Sequence, residues 1–183
     1  MTLFFLADIH GSEYYLAKAM DRFEKEGASF LVLVGDLLYH GPRNPFPRDY
    51  SPAKVAEMLN ELDKKIIAIR GNCDSDVDQM VLSFPMLSDH GSILINNKRI
   101  FLSHGHVYNS ENLAPLNRGD IFVTAHTHIP EILEKDGVIV FNPGSISLPK
   151  GGSVNSYGVM DEEVFVVKDL NGNVIKEKVA GVK

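Results

Sequence analysis

The chain has 183 residues, 44% hydrophobic and 23% charged, which suits a single domain (1–183) with a sizeable core. A net charge of −6 argues against a broad electrostatic grip on nucleic acid or an anionic membrane. The lone Cys73 excludes an intramolecular disulfide, and the first apolar run is too short for a membrane helix and lacks a basic flank, so a soluble cytoplasmic protein is expected.

Leu3-Phe4-Phe5-Leu6-Ala7 reads as a buried strand running into an exposed loop, Asp8-Ile9-His10-Gly11. Strand side chains repeat with period two, so Asp8 and His10 are expected to point the same way and can grip one cation. Ser12 can cap a helix with Leu16, Ala19, Met20 and Phe23 on its apolar face, stopping near Gly27. Phe30 to Val34 is a continuous apolar run, as in strands buried on both faces, and ends in Gly35-Asp36. This is a βαβ unit, whose ligands belong at the carboxyl ends of its strands.

A proline-rich loop carrying Arg43 and Arg48 leads to Ser51-Pro52, which opens a second helix striped with Val55, Met58, Leu59 and Leu62. Ile66 to Ile69 predicts a third buried strand, ending in Arg70-Gly71-Asn72-Cys73-Asp74, followed by a short helix around Asp76 to Leu82. From residue 92 the pattern turns to short strands: Ser92–Ile95, Arg99–Ser103, Ile121–Thr124, Glu131–Glu134, Val138–Phe141, Tyr157–Met160, Val164–Lys168 and Val174–Val179. Asn96-Asn97, Lys135-Asp136-Gly137 and Asn171-Gly172 are turn signals between them. Two packed sheets flanked by helices satisfy this pattern.

Asp8, His10, Asp36, Asn72, His104, His126 and His128 each follow an apolar run. Singly, such residues are usually turn formers, caps or solvated imidazoles. Five strands all ending in metal-ligand types is a stronger signal. Carboxylates, imidazoles and one amide, without a thiolate cluster, suit Mn²⁺, Fe²⁺, Zn²⁺ or Co²⁺. Seven groups exceed what one ion needs, so two ions sharing a carboxylate, roughly 3.5–4 Å apart, account for them better.

Asp8-Ile9-His10, Gly35-Asp36, Gly71-Asn72, His104-Gly105-His106 and Ala125-His126-Thr127-His128 resemble the calcineurin-like metallophosphoesterase superfamily, from residue 3 to about residue 150. Gly71-Asn72-Cys73-Asp74, Ser103-His104-Gly105-His106 and Asn142-Pro143-Gly144-Ser145 look like the small bacterial YfcE-type phosphodiesterases. The resemblance implies an α/β fold, a four-layer α/β/β/α sandwich of two mixed sheets. It implies one ion on Asp8, His10 and His128, another on Asn72, His104 and His126, and Asp36 between them. A hydroxide shared by two cations, of which Mn²⁺ is the leading choice, is then available near neutral pH to attack a small phosphodiester.

The chain departs from that pattern at Cys73, where relatives often carry a histidine that protonates the leaving group, and at Ala125, where glycine is usual. A thiol of ordinary pKa near 8.5 is a poor substitute for imidazolium near 6.5. Slow turnover of alkyl monoesters is therefore expected. Cys73 is either a catalytic thiol or a small filler, and His106 a proton source or a loop-orienting residue. Asp74 is either a partner of a ligating imidazole or a helix cap, and His40 is a further candidate for substrate contact. Arg43 and Arg48 are candidate phosphate forks, with a solvated loop or an oligomer contact as the alternative. Competing readings are a non-catalytic scaffold on the same fold, as in the retromer subunit, or a phosphomonoesterase. A nuclease is disfavoured by the acidic chain, and a protein phosphatase by Cys73. A homo-oligomer through apolar edge strands stays open.

Overall fold

The computed structural model describes residues 1–95, 97–162 and 164–179. The N-terminal half alternates as expected. β1 (Thr2–Leu6), α1 (Glu13–Lys25), β2 (Phe30–Leu33), α2 (Pro52–Asn60) and β3 (Ile66–Ala68) place three strands parallel, β1 beside β2 and β2 beside β3. The Ser12 hydroxyl accepts from the Tyr15 amide and starts α1, and Gly27 at φ 62° turns the chain away after it. The following helix, α3 (Asp76–Gln79), is shorter than the expected Asp76–Leu82. Leu82 instead drops into the core together with Phe84 and Met86.

The remaining strands are β4 (His90–Ile95), β5 (Lys98–Ser103), β6 (Ile121–Val123), β7 (Glu131–Lys135), β8 (Val138–Asn142), β9 (Ser156–Asp161), β10 (Val164–Asp169) and β11 (Val174–Val179). Among the described residues they complete two mixed sheets, ordered β11-β10-β9-β1-β2-β3 and β4-β5-β6-β8-β7. Every predicted strand is present within a residue or two. Asn97 sits at φ 60° in the β4–β5 turn, while Asn96, its predicted companion, lies outside the described residues, as do 180–183 of the predicted domain.

Period two explains the layering. Phe4, Leu6, Leu31 and Leu33 face α1 and α2, packing with Leu16, Phe23, Val55 and Leu59. Leu3, Phe5, Val32 and Val34 face the other way, against Ile100, Leu102, Ile121, Val123 and Phe141 of the second sheet. The outer face of that sheet, Phe101, Phe122, Val138 and Val140, is covered by Tyr108, Leu113, Ala114 and Leu116. These covering residues lie in irregular chain, so this outer layer is a loop, while helices cover the first sheet. The architecture is the α/β class with two mixed sheets that the sequence implies. β5, β6 and β8 are parallel to one another. The carboxyl ends of β1, β2, β3, β5 and β6 converge on one site.

Candidate metal centre

The loops leaving these strands are unusual in their backbone. Asp8, His10, Asp36, His126 and His128 all have φ between 48° and 68°. Left-handed conformation is uncommon outside glycine and clusters where a site over-determines the backbone. It also corrects the strand-alternation argument. Asp8 and His10 lie beyond β1, and they converge because the loop curls, not because an extended strand alternates. The curl is pinned by amide bonds from Asp8 to the Gly35 carbonyl and from His10 to the Asp36 carbonyl. The Ser145 and Ser147 hydroxyls both donate to the Asp8 carbonyl at 2.8 Å. The β2 and β3 loops touch at Gly35 and Gly71, where a Cβ on either would overlap the other loop.

The side chains meet inside this frame. His128 Nε2 lies 3.4 Å from Asp8 Oδ1 and 3.4 Å from His10 Nε2. His10 Nε2 lies 3.7 Å from both Asp8 Oδ1 and Asp36 Oδ2. His104 Nε2 is 3.4 Å from Asp36 Oδ2 and 3.2 Å from the Asn72 amide oxygen. The His126 ring stands 5.2 Å from that of His104. All seven predicted ligand residues are thus brought together. Both Asp8 carboxylate oxygens are buried without a hydrogen-bond partner among the described residues, an arrangement costly for a carboxylate unless a cation satisfies it.

Three imidazoles are oriented by their far nitrogens. Nδ1 of His10, His104 and His128 meets the carbonyls of Tyr39 (2.8 Å), Val34 (2.7 Å) and Leu148 (2.6 Å). A carbonyl only accepts, so Nδ1 carries the proton and Nε2 turns its lone pair inward when neutral. Burial pushes the Asp8 carboxyl up to about 7. Burial opposes the Asp36 charge too, but the bond and charge of His104 outweigh it and hold Asp36 well below the usual carboxylate range. The same contact overcomes burial at His104 and raises it to about 9. Burial lowers His128 to about 4. The pocket thus draws positive charge toward its carboxylates, at His104, while its burial-lowered imidazoles His10, His126 and His128 are disposed to be neutral, as ligands of a divalent cation must be; His104 would have to give up its proton to join them.

Asp74 is neither an imidazole partner nor a helix cap, the two roles expected for it. Its buried carboxylate accepts from the amides of Asp36 (2.8 Å), Leu37 (2.8 Å) and Gly71 (2.7 Å), clamping the β2 and β3 loops together. Burial pushes it up to about 6. Cys73 donates its own amide to Asp36 Oδ1 at 2.8 Å, and its thiol receives the Asn72 amide at 3.3 Å. Burial and the neighbouring carboxylates push the thiol up to about 12. His106 is exposed, its ring 5.6 Å from that of His104, with its pKa lowered by burial of part of the ring and by that neighbour.

A cleft of about 710 Å³ opens over the centre, and Arg43 and Cys73 line it. Arg48 does not, which corrects its expected place at the substrate. It lies over the Tyr14 ring at 3.6 Å on another face, because the chain between the two arginines turns away through Pro45 and Pro47. His40 packs among Phe46, Tyr39 and Tyr50 instead of facing the cleft. Lys150 lines the cleft and was not anticipated. Its signal is a lone cation followed by two glycines just after the Asn142–Ser145 motif.

The calcineurin-like phosphoesterase superfamily domain matches residues 1–164, and the chain belongs to that superfamily. Within it, the chain is 48% identical over 180 residues to "Phosphodiesterase YfcE" of Escherichia coli K12, covering 98% of both proteins. A solved structure described as "Yfce, a phosphoesterase from E. coli" superposes with a TM-score of 0.97 at 46% identity, covering 99% of this chain and 100% of that one. "Wild type Vps29 complexed with Zn+2" from Entamoeba histolytica shares the fold at a TM-score of 0.65 and 22% identity, covering 97% of each chain.

Proposed function

We propose that this protein is a metal-dependent phosphodiesterase acting on small diesters in the cytoplasm. The observation that carries the metal requirement is the buried Asp8 carboxylate, without a hydrogen-bond donor among the described residues and ringed by Nε2 atoms of His10, His104 and His128. Asp8, His10 and His128 have ligand atoms within 4.8 Å of one another, and so have Asp8, Asp36 and His104. Two divalent cations would be held by this donor set, one by Asp8, His10 and His128 and the other by Asn72, His104 and His126, with Asp36 available to both. Oxygen and imidazole donors suit manganese, with Zn²⁺, Fe²⁺ and Co²⁺ as alternatives. When bound, the ions supply Lewis acidity, a lowered water pKa and charge compensation for the phosphoryl oxygens.

The chain's own residues do the rest. The carbonyl-bound imidazoles hold their donor atoms inward. Arg43 and Lys150, on the cleft wall, bind non-bridging phosphoryl oxygens and keep the diester in place. The two proton sources are weak. The Cys73 thiol, near 12, releases its proton reluctantly, and His106, with its lowered pKa, is largely neutral at pH 7. Leaving groups that depart as stable anions, such as aryloxides, are therefore preferred over alkoxides. Metal analysis of the purified protein, with turnover of an aryl phosphodiester under added Mn²⁺, tests this function. A protein that stays metal-free and inert when saturated with manganese is a scaffold.

A further inference from the structure

Lys150 enters the cleft wall from a turn that is built on a proposed metal ligand. Its amide donates to the His128 carbonyl at 3.1 Å, and the Leu148 carbonyl accepts from the ring of the same histidine at Nδ1, 2.6 Å away. The chain then reverses over Gly151 and Gly152, at φ 62° and 75°, and the Ser153 amide closes the turn on the Lys150 carbonyl at 3.0 Å. Glycine meets the left-handed backbone of both central positions at least cost. The Ser153 hydroxyl adds a second bond to the Lys150 carbonyl at 2.6 Å and lies 3.3 Å from the His128 carbonyl. Its one proton serves chiefly the nearer acceptor.

The charges of the cleft give this turn a use. The carboxylates of its lining are engaged already, Asp36 by His104 and the Cys73 amide, Asp74 by the amides of Asp36, Leu37 and Gly71. The lysine and arginine of the lining, Arg43 and Lys150, form no ion pair among the described residues. Burial does most to lower His128, and the Lys150 ammonium adds to it, so that charge bears on the centre. Yet Lys150 is exposed, on a flexible four-carbon stem. Only its backbone is bonded, so the reach of the ammonium depends on the turn.

We propose that the Lys150–Ser153 turn sets the reach of Lys150 to the substrate's phosphoryl group, with Ser153 as a positioning residue and Gly152 as the residue that lets the turn close. This rests on the phosphodiesterase function proposed above. The test uses the manganese-saturated full chain, with an aryl phosphodiester for turnover and inorganic phosphate for binding by calorimetry. Lys150→Met is expected to raise KM and the phosphate Kd about tenfold, with kcat within about twofold. Ser153→Ala is expected to raise both constants about threefold, and the double variant to match Lys150→Met alone. Ser153→Thr keeps the hydroxyl and restores both. A Cβ on Gly152 would stand in open space, so substitutions there act through the backbone. Gly152→Val is expected to approach Lys150→Met, whereas Gly152→Asn, which tolerates left-handed backbone, stays within about twofold of the unaltered protein. Additive losses in the double variant, or equal losses for Gly152→Asn and Gly152→Val, overturn the proposal. So does a fall in bound manganese for Ser153→Ala with KM unmoved, since the hydroxyl would then serve His128. Phosphate binding that follows Ser153 and Gly152 in a protein without turnover counts against phosphodiesterase activity alone. Turnover with both constants indifferent to those residues counts against the turn alone.

Discussion

The two sheets meet at one centre but bring different chemistry to it. The first supplies the oxygen donors proposed for the metals, Asp8, Asp36 and Asn72, and a single proposed imidazole ligand, His10. The second supplies imidazoles only, His104, His126 and His128. The oxygen side is held through its backbone, by two serine hydroxyls on the Asp8 carbonyl and by the Asp74 clamp under Asp36. The imidazoles with a bonded far nitrogen are held through the ring, and His104 reaches across to the Val34 carbonyl of the first sheet. A carboxylate ligand is thus placed by where its loop goes, and an imidazole by what its far nitrogen touches. The oxygen side concentrates the electrostatic cost, and the imidazole side sets which proton is where.

Breaking the oxygen side has the largest expected effect. Asp8→Asn and Asp36→Asn are each expected to lower kcat/KM on an aryl diester by ~10³-fold or more and to reduce bound manganese, read by metal analysis of the same samples. Stability moves the other way for Asp8. Its buried carboxylate has no hydrogen-bond partner among the described residues and is costly to ionise, so Asp8→Asn is expected to raise the Tm of the metal-free protein and to remove most of the rise that manganese gives.

The next test sharpens the same contrast with pH. His104 is raised to about 9, so its contribution is full below about 6.5 and is lost as pH climbs through 9. Asp8 and Asp74, raised to about 7 and 6, bind more protons folded than unfolded, so they too lose stability as pH rises, between about 4 and 7. The lowered imidazoles His10, His126 and His128 oppose them, losing stability as pH falls below about 6.5. The metal-free protein is therefore expected to melt highest between about pH 6 and 7. Manganese needs deprotonated ligands, so its addition shifts that maximum upward. Melting curves with and without Mn²⁺ from pH 5 to 9 check the direction.

Much of this cluster was legible in the sequence because its proposed ligands sit where apolar runs stop. Leu3–Ala7 and Phe30–Val34 declare buried strands by composition alone, Ile66–Ile69 declares a strand that is only half-buried because it forms the sheet edge, and the residue type after each run suggests the donor. What the runs do not carry is contact between distant segments. Nothing local to Asp74 says that its donors are the amides at 36, 37 and 71, and nothing local to His104 points to Val34. Arg48 looked equivalent to Arg43 because both sit in one proline-rich loop, but the turn between them sends Arg48 to Tyr14. The loop over the second sheet lacks helical periodicity, so its apolar Tyr108, Leu113 and Leu116 gave no element to place.

Asp74→Asn loosens the oxygen side without touching the side chain of any proposed ligand. Asparagine has one acceptor oxygen where the carboxylate serves three amides, so about 1–3 kcal/mol of stability is expected to be lost in urea melts. A weaker manganese affinity should accompany it, since the clamp positions the loops of Asp36 and Asn72. On the proton-delivery side, Cys73→His replaces a thiol near 12 with a group of ordinary pKa near 6.5. Turnover of an alkyl monoester is expected to rise by up to about a hundredfold, with aryl diester turnover nearly unchanged. Equal gains on both substrates would show that Cys73 does not limit proton delivery.

The smallest expected effect separates the two arginines of one loop. Arg43→Ala removes a cation from the cleft wall and is expected to raise KM several-fold with little change in kcat, because a phosphate contact made equally in ground and transition states acts on binding. Arg48→Ala removes an exposed cation over Tyr14 and a 3.7 Å pairing with Asp49, both solvent-screened. Its Michaelis constant should match the unaltered protein, and its melting temperature should fall by no more than a degree or two. A rise in KM for Arg48→Ala would mean that this loop refolds over the cleft when substrate binds, and that the wall drawn by Arg43 and Lys150 is only part of the phosphate grip.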